Sequence, residues 1–186
     1  KKDSTGICFI GERPFREFLA TYVHATPGPM RTPDGVVLGE HHGLPYYTLG
    51  QRQGLGIGGR AEFGDEPWYV AAKDTADNAL IVVQGDHPLR FSASLIADEV
   101  HWINGQPEAL DNGGILRCQA KIRYRQPDQE CAVQAAPGGH LSVSFPEAQA
   151  DATPGQFVVL YEGEQCLGGA VIEQAIGPRQ ALLKTG

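Results

Sequence analysis

The sequence predicts a mainly β protein, in which a small β-rich central domain with one short helix precedes a small closed or nearly closed β-barrel. Two observations carry this prediction. The 186-residue chain holds 24 glycines and 13 prolines, which supply turns between many short strands. Its apolar residues recur at the helical period in one stretch, and elsewhere they form short runs between turn signals.

The predicted helix lies near the N-terminus. Its apolar stripe follows the helical period: Phe15, Phe18, Leu19 and Tyr22. Pro14 suits the first helical turn, where its missing N–H costs nothing, and the Pro/Gly-rich run 26–29 ends the helix. We expect this helix to pack on a core, because nothing in it is typical of a cofactor site.

The rest of the central domain is predicted to be β. The expected strands are 29–31, 36–38, 45–49, 68–72 and 79–83. A Thr-Pro-Asp-Gly turn at 32–35 joins the first two, and the Asp/Asn-rich segment 74–78 is a hairpin loop. The run Gln-Gly-Asp-His-Pro at 84–88 breaks the pattern, so we place a domain boundary between residues 87 and 88.

The second domain, 88–186, consists of short strands separated by turns. The expected strands are 94–102, 115–124, 130–135, 140–145, 156–161 and 166–174. Pro-Gly-Gly at 137–139 and Glu-Gly-Glu at 162–164 are typical of tight turns. Short strands in this number, with no helix between them, favour a small barrel.

Composition limits the function. The formal net charge of −7 argues against nucleic-acid binding by bulk charge, so such binding would need a local basic patch. No apolar run approaches the roughly 20 residues of a membrane helix. The four cysteines are Cys8, Cys118, Cys131 and Cys166. None is spaced as Cys-x-x-Cys, so we predict no metal site.

The candidate basic patch is the strand that begins at Ile115. Its alternate residues predicted to face inward are Leu116, Cys118, Ala120, Ile122 and Tyr124, and those predicted to face outward are Arg117, Gln119, Lys121, Arg123 and Arg125. Four cations along one outer face could follow the phosphates of a nucleic acid. A solvated strand face, or an edge protected by charge, explains the same pattern.

Two other motifs are weak. Gly54, Gly56 and Gly59 match Gly-x-Gly-x-x-Gly, but no helix and no Lys-Ser/Thr pair follows. We therefore expect a flexible loop that contacts a partner or another domain rather than a nucleotide site. The adjacent His41 and His42 would point to opposite faces of an extended chain and make a poor metal pair. A protease-like pairing of Cys8 with a histidine, His24 or His41, stays open, although nothing marks its orienting residue.

Cys8 is the candidate chemical centre. Gly6 and Gly11 flank it, so the backbone there can turn sharply and approach another surface. Three cations lie near it in sequence: Lys1, Lys2 and Arg13. If they are also near in space, they favour the reactive thiolate. The alternative is a buried structural cysteine among its apolar neighbours.

A resemblance favours the reactive alternative. The string Lys-Lys-Asp-Ser-Thr-Gly-Ile-Cys-Phe-Ile-Gly-Glu at 1–12 resembles a signature of the tRNA-specific 2-thiouridylases. Further blocks agree in order over nearly the whole chain: 39–59, 68–74, 121–126, 153–156 and 166–169. These enzymes replace the C2 oxygen of the wobble uridine with sulfur.

The resemblance implies the architecture and the mechanism. The last domain should be a translation-factor-like β-barrel, and residues 1–14 should be the tail of a preceding ATP-pyrophosphatase domain that binds ATP with Mg²⁺. We expect no cofactor in the present segment. Cys8 would carry a persulfide that transfers sulfur to the ATP-activated uridine, and a disulfide with a cysteine of the preceding domain would follow. The segment alone should then be inactive.

The resemblance also implies the partners. Arg123, Tyr124 and Gln156 match positions that contact tRNA, and Arg117, Lys121 and Arg125 extend this set through the strand pattern. The expected partners are tRNA and a protein that donates persulfide sulfur, with no membrane, for a cytoplasmic monomer. The rival interpretation is a non-catalytic RNA- or protein-binding barrel module in which Cys8 is inert.

Overall fold

The structure is a computed structural model that describes residues 22–23, 25–59, 62–124 and 126–179. The described residues form two compact units, one ending at Val82 and the other beginning at Val83. The predicted boundary lay a few residues further along, after residue 87. The predicted segment 1–14 and nearly all of the predicted helix lie outside the described residues. The predicted mainly β fold is confirmed, and no described helix is long and apolar enough to span a membrane.

In the described residues, the first unit is built on a four-stranded sheet of order β2-β1-β4-β3. Its strands are β1 (Gly28–Arg31), β2 (Val37–His41), β3 (Trp68–Asp74) and β4 (Ala79–Gln84). The predicted turn joins β1 to β2. A hydrogen bond from the Gly35 N–H to the Thr32 carbonyl, at 2.9 Å, closes it. β1 pairs antiparallel with β2 and parallel with β4.

The loop between β3 and β4 is organised by its acidic residues. Asp74 Oδ1 accepts the backbone N–H groups of Ala76 and Asp77 at 3.1 and 3.2 Å. Arg31 Nη2 then donates to Asp74 at 2.8 Å and to Asp77 at 2.7 Å. The hydrogen bond with Asp77 is the largest cause of a raised pKa for the Arg31 guanidinium. The Asp/Asn-rich spacer is therefore the hairpin loop that the sequence predicts.

The predicted strand at 45–49 is wrong. Leu44–Tyr46 is instead a 3-10 helix, closed by a hydrogen bond from the Tyr47 N–H to the Leu44 carbonyl at 3.2 Å. Pro45 lies in its first turn, where a residue without an N–H is tolerated. The apolar side chains of Leu44 and Tyr47 still pack into the core of this unit.

The second unit contains a closed barrel of order β10-β5-β8-β7-β6-β9, which confirms the predicted architecture. Its strands are β5 (Phe91–Trp102), β6 (Leu116–Lys121), β7 (Gln129–Ala135), β8 (Leu141–Ala150), β9 (Phe157–Glu162) and β10 (Gln165–Ile176). Neighbouring strands pair antiparallel throughout. Short 3-10 helices lie at Pro88–Arg90, Glu108–Gly113 and Pro137–Gly139.

Side chains alternate between the interior and the outer face along each strand, and the inward side chains fill the barrel. On β9, Val158 and Leu160 are fully buried, whereas Phe157 on the opposite face is 63% exposed. Inward residues from all six strands form one apolar core, as expected for a small barrel whose interior is packed with side chains. The barrel therefore offers its outer face and its two ends for function.

Candidate nucleic-acid interface

A buried ion pair lies at one end of the barrel, where β8 ends and β5 begins. Arg90 donates from Nε to Asp151 Oδ1 at 3.1 Å and from Nη2 to Oδ2 at 2.8 Å. The Asp151 N–H donates to the Arg90 carbonyl at 2.6 Å, so side chains and backbone join the same two residues. Each residue is only 7% exposed. Two parallel hydrogen bonds fix the orientation of both side chains.

Asp151 also organises the loop that follows it. Its backbone is left-handed, with φ of 56°, a conformation that aspartate tolerates better than most residues. Its carbonyl accepts hydrogen bonds from Thr153 Oγ1 at 2.8 Å and from Arg123 Nη2 at 2.9 Å. The next carbonyl, that of Ala152, accepts one from Arg179 Nη2 at 2.9 Å. Burial lowers the pKa of the Arg179 guanidinium, and the negative charge of Asp151 opposes that shift.

The predicted turn at 153–156 is present. The Gln156 N–H donates to the Thr153 carbonyl at 3.1 Å, and Gly155 adopts φ of +83° between them. Two further backbone hydrogen bonds attach the turn to β10. The Gly155 N–H donates to the Ile172 carbonyl at 2.8 Å, and the Ile172 N–H donates to the Gln156 carbonyl at 2.7 Å. Gln156 is half-buried at the start of β9.

The strand that carries the predicted basic patch ends earlier than the sequence suggests. β6 stops at Lys121, because the Ile122 N–H is taken by the side-chain carbonyl of Gln126 at 3.2 Å. The Gln126 N–H donates to the Arg123 carbonyl at 3.1 Å, which closes a turn. Tyr124 is 92% exposed, so its predicted inward position is wrong. Leu116, Cys118, Ala120 and Ile122 are buried as predicted.

The three described cations of the predicted patch, Arg117, Lys121 and Arg123, do not lie on one continuous strand. Arg117 is exposed on β6, about 13 Å from Lys121 along the strand. Lys121 Nζ forms an ion pair with Asp128 at 3.1 Å and lies 5.4 Å from the ring centroid of Tyr161. Arg123 lies in the turn beyond the strand, and Arg125 falls outside the described residues.

The structure does bring Arg123, Tyr124 and Gln156 to the same end of the barrel. The register pairs Lys121 with Val159, so the turn after β6 lies beside the start of β9. The Arg123–Asp151 hydrogen bond joins that turn to the loop that leads to Gln156. We call these two loops, 122–128 and 151–157, the basal surface.

Phe157 belongs to the basal surface and was missed by the sequence reasoning. It directly follows Gln156, and its ring is 63% exposed. The alternation of β9 contains the signal, because burial of Val158 and Leu160 places Phe157 on the outer face. Two aromatic rings, those of Tyr124 and Phe157, are therefore presented to solvent near an arginine.

Cys8 and His24 lie outside the described residues. His41 is fully buried, and both of its ring nitrogens are used: Nδ1 accepts the Gly43 N–H and Nε2 contacts the Asn78 carbonyl, each at 2.9 Å. His41 is thus a structural histidine rather than a base for Cys8. Among the described residues, no three His, Cys, Asp or Glu side chains cluster as metal ligands would.

The glycine-rich segment of the first unit lines an open cleft of about 320 Å³. Gly54, Gly56 and Gly59 have positive φ angles of 77°, 67° and 75°, and an added Cβ at any of them would meet nothing within 4 Å. The described residues between this segment and β3 contain no helix, so the dinucleotide interpretation has no structural support. The expectation that this loop contacts a partner stays a prediction.

Comparison with known proteins identifies the family. Residues 16–84 match a sequence model described as a tRNA methyl transferase PRC-barrel domain, and residues 92–172 match one described as an aminomethyltransferase β-barrel domain. A protein of Marinobacter nauticus named tRNA-specific 2-thiouridylase MnmA is 60% identical over 98% of this chain. Relatives of the same name from Burkholderia ambifaria and Methylococcus capsulatus are each 57% identical, over 94% and 93% of the chain. The chain belongs to the tRNA-specific 2-thiouridylase family.

This 2-thiouridylase-family chain spans about half the length of those relatives, 45% of the first two and 46% of the third. The basal surface falls within the part that matches the β-barrel domain, 92–172. Arg90 precedes that match and Arg179 follows it. The ion pair and the Arg179 bond thus connect the matched domain to its flanking segments.

We predict that Asp151→Asn destabilises the barrel by about 3 kcal/mol, because it removes the buried charge partner of the Arg90 guanidinium, for which the exposed Asp86 carboxylate at 3.5 Å is a weak substitute. Asparagine is the chosen replacement because it tolerates the left-handed backbone. Urea unfolding followed by tryptophan fluorescence measures the effect.

The matched control is Asp128→Asn, which removes the same charge from the half-exposed pair with Lys121. It should cost less than about 1 kcal/mol, as exposed ion pairs do. Equal costs for the two substitutions would contradict the special role of the buried pair.

Proposed function

We propose that this chain is part of a tRNA-uridine 2-sulfurtransferase, in which it supplies a persulfide-carrying cysteine and a tRNA-binding surface. The observation that carries the proposal is the 60% identity, over 98% of the chain, to a protein named tRNA-specific 2-thiouridylase. The basal surface supports it, since residues expected from the sequence to contact tRNA, Arg123, Tyr124 and Gln156, lie together there.

The chemistry of the basal surface suits an RNA loop. Exposed aromatic rings stack on unpaired bases of any identity, and Tyr124 and Phe157 offer two such rings. Arg123 brings a positive charge that can face a phosphate, and the Gln156 amide can donate to or accept from a base edge. Because the net charge of the chain is −7, attraction of a nucleic acid depends on where the positive charges lie rather than on the total charge.

Cys8 supplies the sulfur in this proposal. Its thiolate accepts a sulfur atom from a persulfide donor protein, and the resulting persulfide attacks C2 of the uridine. ATP with Mg²⁺, when bound by the part of the relatives that this chain does not span, supplies the leaving group at that carbon. A cysteine of that part then attacks the Cys8 sulfur, which breaks the persulfide S–S bond, leaves the outer sulfur on C2 and forms a disulfide with Cys8. An external thiol reductant restores both thiols. The described glycine-rich loop does not fit ATP, so we assign it no part in that step.

A cytoplasmic monomer is the setting we propose for this activity. The persulfide donor and the wobble uridine of the tRNA must both reach Cys8, so the donor delivers its sulfur before the uridine reacts. The rival proposal, a non-catalytic RNA- or protein-binding module with an inert Cys8, shares the barrel and differs at the cysteine. Arg123→Ala tests the tRNA-binding surface, and Cys8→Ser separates these alternatives.

We predict that Arg123→Ala weakens binding of a tRNA transcript with a wobble uridine and lowers the salt dependence of that binding. Loss of one phosphate contact should reduce the slope of log affinity against log salt by about 0.7 to 0.9. Fluorescence anisotropy at several salt concentrations measures both quantities, and thermal unfolding shows that the variant is folded.

The matched control for this measurement is Arg52→Ala, since Arg52 is an exposed arginine of the first unit. Its slope should equal that of the unchanged chain. If Arg123→Ala leaves the slope of log affinity against log salt unchanged, Arg123 does not contact the tRNA. If both variants lower that slope equally, the binding is general electrostatic attraction rather than contact at the basal surface.

Cys8→Ser should abolish thiolation while leaving tRNA affinity nearly unchanged, because a hydroxyl can neither hold a persulfide nor form the resetting disulfide. The variant is made in a protein of the relatives' full length that carries this segment, and 2-thiouridine is quantified by mass spectrometry of digested tRNA. Cys166→Ser, at a half-buried thiol of the barrel, is the control. Thiolation near the normal rate by Cys8→Ser would favour the module with an inert cysteine.

A further inference from the structure

Two buried cysteines face each other inside the barrel. The register of β6 and β7 pairs Cys118 directly with Cys131, and their sulfur atoms lie 3.6 Å apart. Cys118 is 8% exposed and Cys131 is 5% exposed, so both residues are buried in the barrel core. Both are free thiols. The proposed sulfur transfer at Cys8 uses neither of them.

The geometry suits a covalent bond between them. Residues directly opposite on antiparallel strands have Cβ atoms about 4.5–5.5 Å apart, and disulfides need a Cβ separation of about 3.5–4.5 Å. The two sulfur atoms must approach by about 1.5 Å to reach the usual bond length of about 2.05 Å. Small rotations of both side chains and a slight closing of the strand pair accomplish this.

The hydrogen bond between the two thiols makes them chemically unequal. It lowers the pKa of Cys118, and it raises the pKa of Cys131, which burial raises further. Either sulfur can donate in this hydrogen bond, and the directions of the two pKa shifts favour Cys118 as the nucleophile. A second thiol within reach of a nucleophilic thiol is the arrangement found in cysteines that respond to oxidants.

We propose that Cys118 and Cys131 form a peroxide-sensitive dithiol that closes reversibly to a cross-strand disulfide. The Cys118 thiolate attacks one oxygen of hydrogen peroxide, which breaks the O–O bond, gives a sulfenic acid and releases hydroxide. The Cys131 sulfur then attacks the Cys118 sulfur, and the sulfenic hydroxyl leaves as water with the Cys131 proton. Two thiols and one peroxide thus become one disulfide and two waters. Peroxide is small enough to reach a sulfur that is nearly buried.

The disulfide would act on the loop between the two strands. Residues 122–128 connect β6 to β7 and carry Arg123 and Tyr124 of the basal surface. A bond between positions 118 and 131 closes a short ring around this loop and restricts the conformations of the unfolded chain. The oxidised barrel should therefore unfold at a higher temperature than the reduced barrel, and dithiothreitol should reverse the change.

The experiment treats the reduced chain with hydrogen peroxide, blocks the remaining thiols and maps the peptides by mass spectrometry. We expect a Cys118–Cys131 linked peptide pair, an intact mass lower by about 2 Da for the two hydrogens lost, and recovery of both thiols with dithiothreitol. The Cys166→Ser variant should form the same link at the same rate. Cys118→Ala and Cys131→Ala should each abolish it, and a melting curve reports whether they fold.

Two results would overturn the proposal, and both are read from the unsubstituted chain. One is oxidation of Cys118 to sulfinic acid without any link, which would show that Cys131 cannot reach it. The other is a link that joins Cys118 or Cys131 to Cys8 or Cys166 at least as readily as to each other. Neither result depends on tRNA binding, so the proposed function is tested separately.

Discussion

The buried ion pair between Arg90 and Asp151 is the interaction on which the functional end of the barrel depends. Arg90 immediately precedes β5, and Asp151 immediately follows β8, so the pair joins the ends of two paired strands. Burial of a charge is tolerated only when that charge is matched and hydrogen-bonded. Here two side-chain bonds and one backbone bond meet that condition. The ion pair therefore fixes the position of Asp151, at which the loop 151–157 begins.

The positions of both loops of the basal surface depend on the Arg90–Asp151 pair. The Asp151 carbonyl holds Arg123, and the turn at 153–156 is bonded to β10 on its other side. Both loops are thus held by a rigid scaffold, which lowers the entropy lost when a ligand orders them. An acidic chain can bind a polyanion only through such local placement of its few cations, and the exposed rings of Tyr124 and Phe157 add contacts that salt does not weaken.

The sequence was sufficient to predict what depends on local pattern. Alternation along β6 correctly placed Cys118 and Ala120 inside the barrel, and turn residues marked the loops between strands. The predicted length of β6 failed because a side-chain bond overrides the pattern: Gln126 takes the Ile122 N–H and ends the strand early. No prediction covered the pair of Arg90 and Asp151, which lie 61 residues apart in sequence. Alternation contains no signal for either bond, and Cys8 lies outside the described residues.

Hydrogen–deuterium exchange with and without a tRNA transcript decides whether tRNA binds the surface organised by Asp151. Bound tRNA should slow exchange in the loops 122–128 and 151–157. The glycine-rich segment 54–59, to which we assign no tRNA contact, is the internal reference. If exchange in both basal loops is unchanged while the tRNA is bound, tRNA does not bind the basal surface.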